Sequence, residues 1–157
     1  MSKDEEFIHQ AIDLALVSEK EGNPPVGAVI TLDGKVVSEG RASLLVPKFD
    51  GTRHAEMEAL RSVPEELWIY SDRMSIYSTL EPCLMCFASI LIHGIGRVVF
   101  GAADDHGGAS TVQPHLPPYF RDRLKITVWE GPIMPTECDP LYDRLIAMLD
   151  DTNRGLV

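Results

Sequence analysis

Apolar side chains at Phe7, Ile8, Ala11, Leu14, Ala15 and Val17 recur with the period of a helix that buries one face, and Gly22-Asn-Pro-Pro25 ends it. Val26 to Leu32 then reads as a strand, Asp33-Gly34 as a hairpin turn, and Lys35 to Glu39 as the second strand. Gly40 to Arg53 is a loop that delivers His54 to a run of helix formers, Ala55 to Arg61. Met74 to Thr79 is a third strand. It feeds an apolar run of helical length, Leu84 to Ile92, which Gly94 and Gly96 close. Arg97 to Phe100 and Lys125 to Trp129 supply two more strands, and Thr136 to Leu149 a last helix. The alternation has no internal repeat. It predicts an α/β fold: a mixed five-stranded sheet covered by helices.

Length adds a bound on organisation. At 157 residues the chain is expected to be one domain with one core, residues 1–157. Three cysteines give no disulfide framework, so a reducing compartment is the default. The acidic start Met1-Ser-Lys-Asp-Glu-Glu6 is unlike an export signal, and no apolar run approaches about 18 residues. The expectation is a cytoplasmic protein with no membrane partner.

The chemistry is concentrated in two short segments. His54-Ala-Glu56 is followed 29 residues later by Cys83-Leu-Met-Cys86, with Pro82 directly before the first cysteine. One histidine and two cysteines are three zinc ligands, one short of the four that close a structural site, so a position remains for chemistry. Cys83 and Cys86 are three apart at the start of a helix, hence on one face, and the helix N-terminus favours thiolate. Pro82 suits the first turn of that helix. Zinc at +2 with two thiolates and an imidazole is nearly neutral and acidifies water less than an all-histidine site, so a nearby carboxylate has a task as general acid/base. Glu56 fits it. Against this stand a redox Cys-x-x-Cys pair and a closed zinc site with Cys138 as fourth ligand; Cys138 reads instead as a small buried residue.

These motifs resemble the cytidine deaminase superfamily, whose signature is His-x-Glu with Pro-Cys-x-x-Cys. The pattern is most similar to the branch of bacterial tRNA adenosine, guanine and fungal-type cytosine deaminases, through Gly22 to Ile30, His54 to Arg61, Tyr77 to Cys86 and Ile95 to Gly101. The resemblance implies a three-layer α/β/α fold with helices on both faces of the sheet, one Zn²⁺ held by His54, Cys83 and Cys86, catalysis by Glu56, and a homodimer. It also implies that a noncatalytic partner subunit, the third alternative, would lack the glutamate.

The substrate reading departs from the pattern. Relatives carry a base-contacting asparagine where this chain has Ala42, and Gly51 and Arg53 replace the residues usual in the loop before the zinc histidine. Arg41, Ser43 and Arg53 are candidate substitutes, and Asp104, with Asp105 and His106, is a candidate at the pocket edge. A formal charge of −10, from 14 basic and 24 acidic residues, opposes a polyanionic partner. The C-terminal stretch 150–157 also lacks a basic tail. The expectation is therefore a hydrolytic deaminase of a free nucleobase, nucleoside or related amino-heterocycle, with tRNA wobble adenosine as the alternative.

Overall fold

A computed structural model describes residues 1–151. Its first helix, α1 (Lys3–Lys20), starts at a capping box in which Ser2 Oγ accepts the Glu5 N–H and the Glu5 carboxylate accepts the Ser2 N–H. Five strands follow: β1 (Gly27–Leu32), β2 (Lys35–Arg41), β3 (Met74–Leu80), β4 (Arg97–Ala102) and β5 (Val128–Glu130). Between them lie α2 (Ala55–Arg61), α3 (Leu84–His93) and α4 (Pro118–Leu124), and α5 (Pro135–Asp151) ends the described chain. Both residues of the Asp33-Gly34 turn have positive φ, 52° and 74°, as a tight hairpin between right-twisted strands requires.

The strands form one sheet in the order β2-β1-β3-β4-β5. β1 is antiparallel to both β2 and β3, whereas β3, β4 and β5 run parallel. The sheet is mixed and five-stranded, as expected. Ala28, Ile30, Ile76 and Val98 face one way, packing against Ala55, Ala59 and Leu60 of α2 and Ile90 of α3. Val29, Tyr77 and Val99 face the other way, against Phe7, Ile8 and Ala11 of α1 and Cys138 of α5. The period-2 alternation of the strands thus separates two cores, with helices on both faces.

Parallel β3 and β4 end together at the Leu80–Ala102 pair, and Glu81 N–H donates to Ala102 O at 2.8 Å. A crevice beyond the carboxyl ends of parallel strands is where an open α/β sheet takes ligands. Several boundaries differ from the sequence expectation. The second and fourth strands run on to Arg41 and Ala102, and the fifth begins at Val128 rather than Lys125, because residues 118–124 coil into α4. A 3₁₀ stretch, Glu65–Arg73, has no buried residue and so left no periodic signal. Among the described residues no helix is long and apolar enough to cross a membrane. Residues 152–157 of the C-terminal stretch lie outside the described chain.

Candidate metal centre and active site

Two helix N-termini meet at the end of β3. His54 is the residue before α2 and Cys83 the residue before α3, both extended, with φ/ψ of −70°/156° and −68°/173°. Neither side chain caps its own helix. Each is instead turned toward the other. Pro82 lies just outside α3 rather than in its first turn, which Cys83 displaces by taking the capping position itself. Cys86 falls in the first turn of α3 and is fully buried.

The three candidate ligand atoms lie within 4.8 Å of one another. Zinc–sulfur bonds of about 2.3 Å and a zinc–nitrogen bond of about 2.0–2.1 Å at tetrahedral angles place nitrogen and sulfur roughly 3.6 Å apart. His54 Nδ1 stands 3.6 Å from Cys83 Sγ and 3.6 Å from Cys86 Sγ. The donor set and its spacing therefore fit zinc. A hydrogen bond from Cys86, reinforced by His54, holds the Cys83 thiol down to about 4. That same bond and burial push Cys86 up. Burial works against a charged His54, but the Cys83 sulfur and Glu56 outweigh it and raise the imidazole.

Glu56 is 3 % exposed, and burial raises its carboxyl above the usual range. One carboxylate oxygen, Oε1, accepts the Ser78 hydroxyl at 3.0 Å, and the other, Oε2, lies 3.5 Å from Cys86 Sγ. A carboxyl raised by burial is better matched to proton transfer near neutral pH than an exposed one.

His54, Glu56 and Cys83 open onto a cavity of about 180 Å³. Ala42 and Leu44, Asp104 and His106, and Leu145, Ile146 and Leu149 of α5 all line it. Ala42 and Asp104 thus stand on the same cavity as His54, Glu56 and Cys83. Arg41, Ser43 and Arg53 do not. They line a second cavity of about 390 Å³ with Asn23, Val46 and Pro47, because alternate residues of an extended chain point to opposite sides. Both guanidiniums are taken by carboxylates, Arg41 by Glu21 at 2.8 Å and Arg53 by Glu58 at 3.1 Å. Asp105 is exposed and outside the lining of either cavity.

Several contributors escaped the sequence reading. Glu81, 5 % exposed, accepts the backbone N–H groups of Asp104 at 3.0 Å and Ser110 at 2.8 Å, tying the loop after β4 to the start of α3. Asp104 in turn accepts the Tyr142 hydroxyl at 2.7 Å, which docks α5 over the cavity. The helical period of Tyr142, Leu145, Ile146 and Leu149 was visible, but only the fold says that this face meets the site.

An α/β sheet that aims two helix N-termini at one soft ligand triad, beside a buried carboxylate, defines a zinc-dependent hydrolytic deaminase. Residues 1–102 match the family model described as the cytidine and deoxycytidylate deaminase zinc-binding region. The chain belongs to that family. It is 36 % identical over 137 residues to the tRNA-specific adenosine deaminase of Haemophilus influenzae, covering 86 % of this chain and 78 % of that one. It is 41 % identical over 100 residues to the same enzyme of Buchnera aphidicola, a match spanning 63 % of this chain and 61 % of that protein. A solved structure from a study of A-to-I editing by tRNA:A34 deaminases superposes with a TM-score of 0.69 and 28 % identity, over 87 % of this chain and 98 % of that one.

Proposed function

We propose that the chain, working as one deaminase domain, converts adenosine at the wobble position of tRNA to inosine. The observation that carries this reading is the 36 % identity to a tRNA-specific adenosine deaminase across 86 % of the chain. It reverses the order of preference that the net charge and Ala42 suggest. In this reading His54, Cys83 and Cys86 hold zinc. When bound, the metal supplies a Lewis acid that lowers the pKa of a water. As the C–O bond forms, Glu56 takes one proton from the attacking water and passes it to the ring nitrogen beside the amine-bearing carbon; it then takes the remaining hydroxyl proton and delivers it to the departing amine. The C–N bond breaks, ammonia leaves, and the oxo base remains. Glu56 thus acts where the transition state differs from the substrate, which is where an interaction accelerates the step. Ala42, Leu44 and the α5 residues Leu145, Ile146 and Leu149 give the base an apolar lining.

A free base or nucleoside is the second reading, favoured by a specific observation. Among the described residues every arginine except Arg123 has a carboxylate partner, and Arg123 stacks on Tyr119. A panel separates the two. Ammonia release and inosine formation would be measured on an anticodon stem-loop, adenosine, guanine, guanosine, cytosine and cytidine at near-physiological salt. Inosine in the stem-loop supports the first reading; turnover of a free base or nucleoside with an inert stem-loop moves the assignment to the second. A homodimer belongs to the same proposal. Leu84 and Ile92 leave an apolar edge of α3 in solvent, 57 % and 53 % exposed, and sedimentation would measure the state.

A further inference from the structure

Ser78 departs from the pattern of the surface it occupies. Side chains on a strand alternate, so Ser78 shares a face with Ile76, between Ala28 of β1 and Phe100 of β4. That face is the apolar floor under α2 and α3. Ser78 has no solvent exposure, and a hydroxyl buried there is disfavoured unless it is hydrogen-bonded. An apolar side chain of similar size would serve the packing equally well.

The hydroxyl has two partners. It accepts the Leu80 N–H at 3.4 Å, which leaves its single hydrogen free to be donated, and it donates that hydrogen to Glu56 Oε1 at 3.0 Å. Glu56 is thereby held at one oxygen by the central strand of the sheet. Oε2 is left facing the ligand triad, 3.5 Å from Cys86 Sγ. Ser78 itself is not part of the cavity lining, so a substrate does not touch it.

We propose that Ser78 is a positioning residue for the deamination: its hydroxyl fixes the plane of the Glu56 carboxylate so that Oε2 meets the water and the base in a single orientation. The inference rests on the reading of Glu56 as proton carrier. It predicts a defect confined to turnover. Without the hydroxyl the carboxylate rotates about its last two side-chain torsions, and the fraction of time in the productive orientation falls. Substrate binding and metal binding stay as they were.

The test compares kcat, KM, zinc content and melting temperature for wild type, Ser78→Ala, Ser78→Thr, Glu56→Gln and the Ser78→Ala/Glu56→Gln double variant, with crystal structures of wild type and Ser78→Ala. Hydrogen bonds to charged groups are worth enough that Ser78→Ala should lower kcat by about tenfold. KM and zinc content should hold, and the crystal structure should show the Glu56 carboxylate turned away from its wild-type orientation. Ser78→Thr, which keeps the hydroxyl, should recover most of the rate, and Ser78→Ala should cost nothing further in the Glu56→Gln background. Wild-type kcat in Ser78→Ala beside an inactive Glu56→Gln overturns this inference alone. So does an unmoved carboxylate in the crystal, or an equal tenfold loss in the Glu56→Gln background. Near-wild-type turnover in Glu56→Gln itself overturns the reading of Glu56, and this inference with it.

Discussion

One methyl group added at Gly40 should reach the metal centre without touching it. β2 passes so close beneath α2 that a Cβ at Gly40 would stand less than 3.0 Å from Ala55 O and Ala59 N, where ordinary contact begins at 3.4 Å. Both are backbone atoms, so no rotamer change relieves the clash. The Ser38 hydroxyl also ties β2 to the Ala59 carbonyl, so strand and helix can only separate as units, by about 1 Å. Overpacking of this kind costs about 1–3 kcal/mol. For a chain of this size that is a fall of roughly 2–12 °C in melting temperature. The same displacement moves the α2 N-terminus, which carries His54 and Glu56. A shift near 1 Å in a reacting group costs on the order of 10²-fold in rate. Gly27→Ala is the control, since its Cβ would meet Ala11 O and Ala15 N of α1 on the opposite face of the sheet. Calorimetry, metal analysis and kcat on the active substrate would be run on both. Gly40→Ala should lose stability, zinc and turnover together, and Gly27→Ala stability alone. Full zinc and wild-type kcat in Gly40→Ala, or equal metal loss in both variants, would refute the argument.

Glu56→Gln should keep one zinc and lose about 10²- to 10⁴-fold in kcat, because an amide cannot carry the proton; single-turnover kinetics with metal analysis checks both halves. Cys138→Ser should leave zinc stoichiometry unchanged, since Cys138 packs under β4, where a Cβ at Gly101 would collide with its sulfur; a metal-free Cys138→Ser protein contradicts the open three-ligand site. For pH, the Arg97 guanidinium beside Asp4, with a bond from Tyr77, holds the Asp4 carboxyl below its usual value even though burial opposes it. A depressed folded pKa contributes stability that is fully present above the unfolded value near ~3.9 and is lost as pH falls through the folded one. The melting temperature of wild type should therefore exceed that of Asp4→Asn at pH 7, with the gap closing below about pH 4; a gap that widens in acid would show the wrong sign.

The parts of this protein legible in its sequence are those written in local chemistry. His54-x-Glu56 and Cys83-x-x-Cys86 name their ligand types by identity and share a helix end by spacing. Helix α1 carries the period that burial on one face enforces, and β1 the near-continuous apolar run of a strand buried on both faces. What stayed hidden depends on contacts between distant segments. Ser78 looks like a polar residue in a strand until β3 is seen under α2, and Glu81 looks like an ordinary acidic residue until the loop after β4 closes over it. Arg41 and Arg53 were candidates because they flank Ala42 and His54. Adjacency along an extended chain means opposite sides, and the structure puts both on the far side, paired with Glu21 and Glu58.

Those paired arginines bear on the tension between charge and kinship. A net charge of −10 describes long-range attraction, and by that measure an anticodon stem approaches against the field. Catalytic specificity is decided elsewhere, by the groups that meet the base once it is seated. Exposed ion pairs such as Arg41–Glu21 and Arg144–Glu19 are weak, because water and salt screen them, so exchanging a carboxylate for a phosphate at either guanidinium costs little in pairing energy. The cost lies in the glutamate left behind, whose charge still repels the phosphate. Acidity of this pattern slows encounter and weakens binding, yet leaves turnover of a bound adenosine untouched. The stem-loop assay therefore has to separate KM from kcat: a high, salt-sensitive KM with normal kcat is what an acidic tRNA deaminase would show, whereas a low kcat at saturating stem-loop would place the mismatch in the cavity beside Ala42.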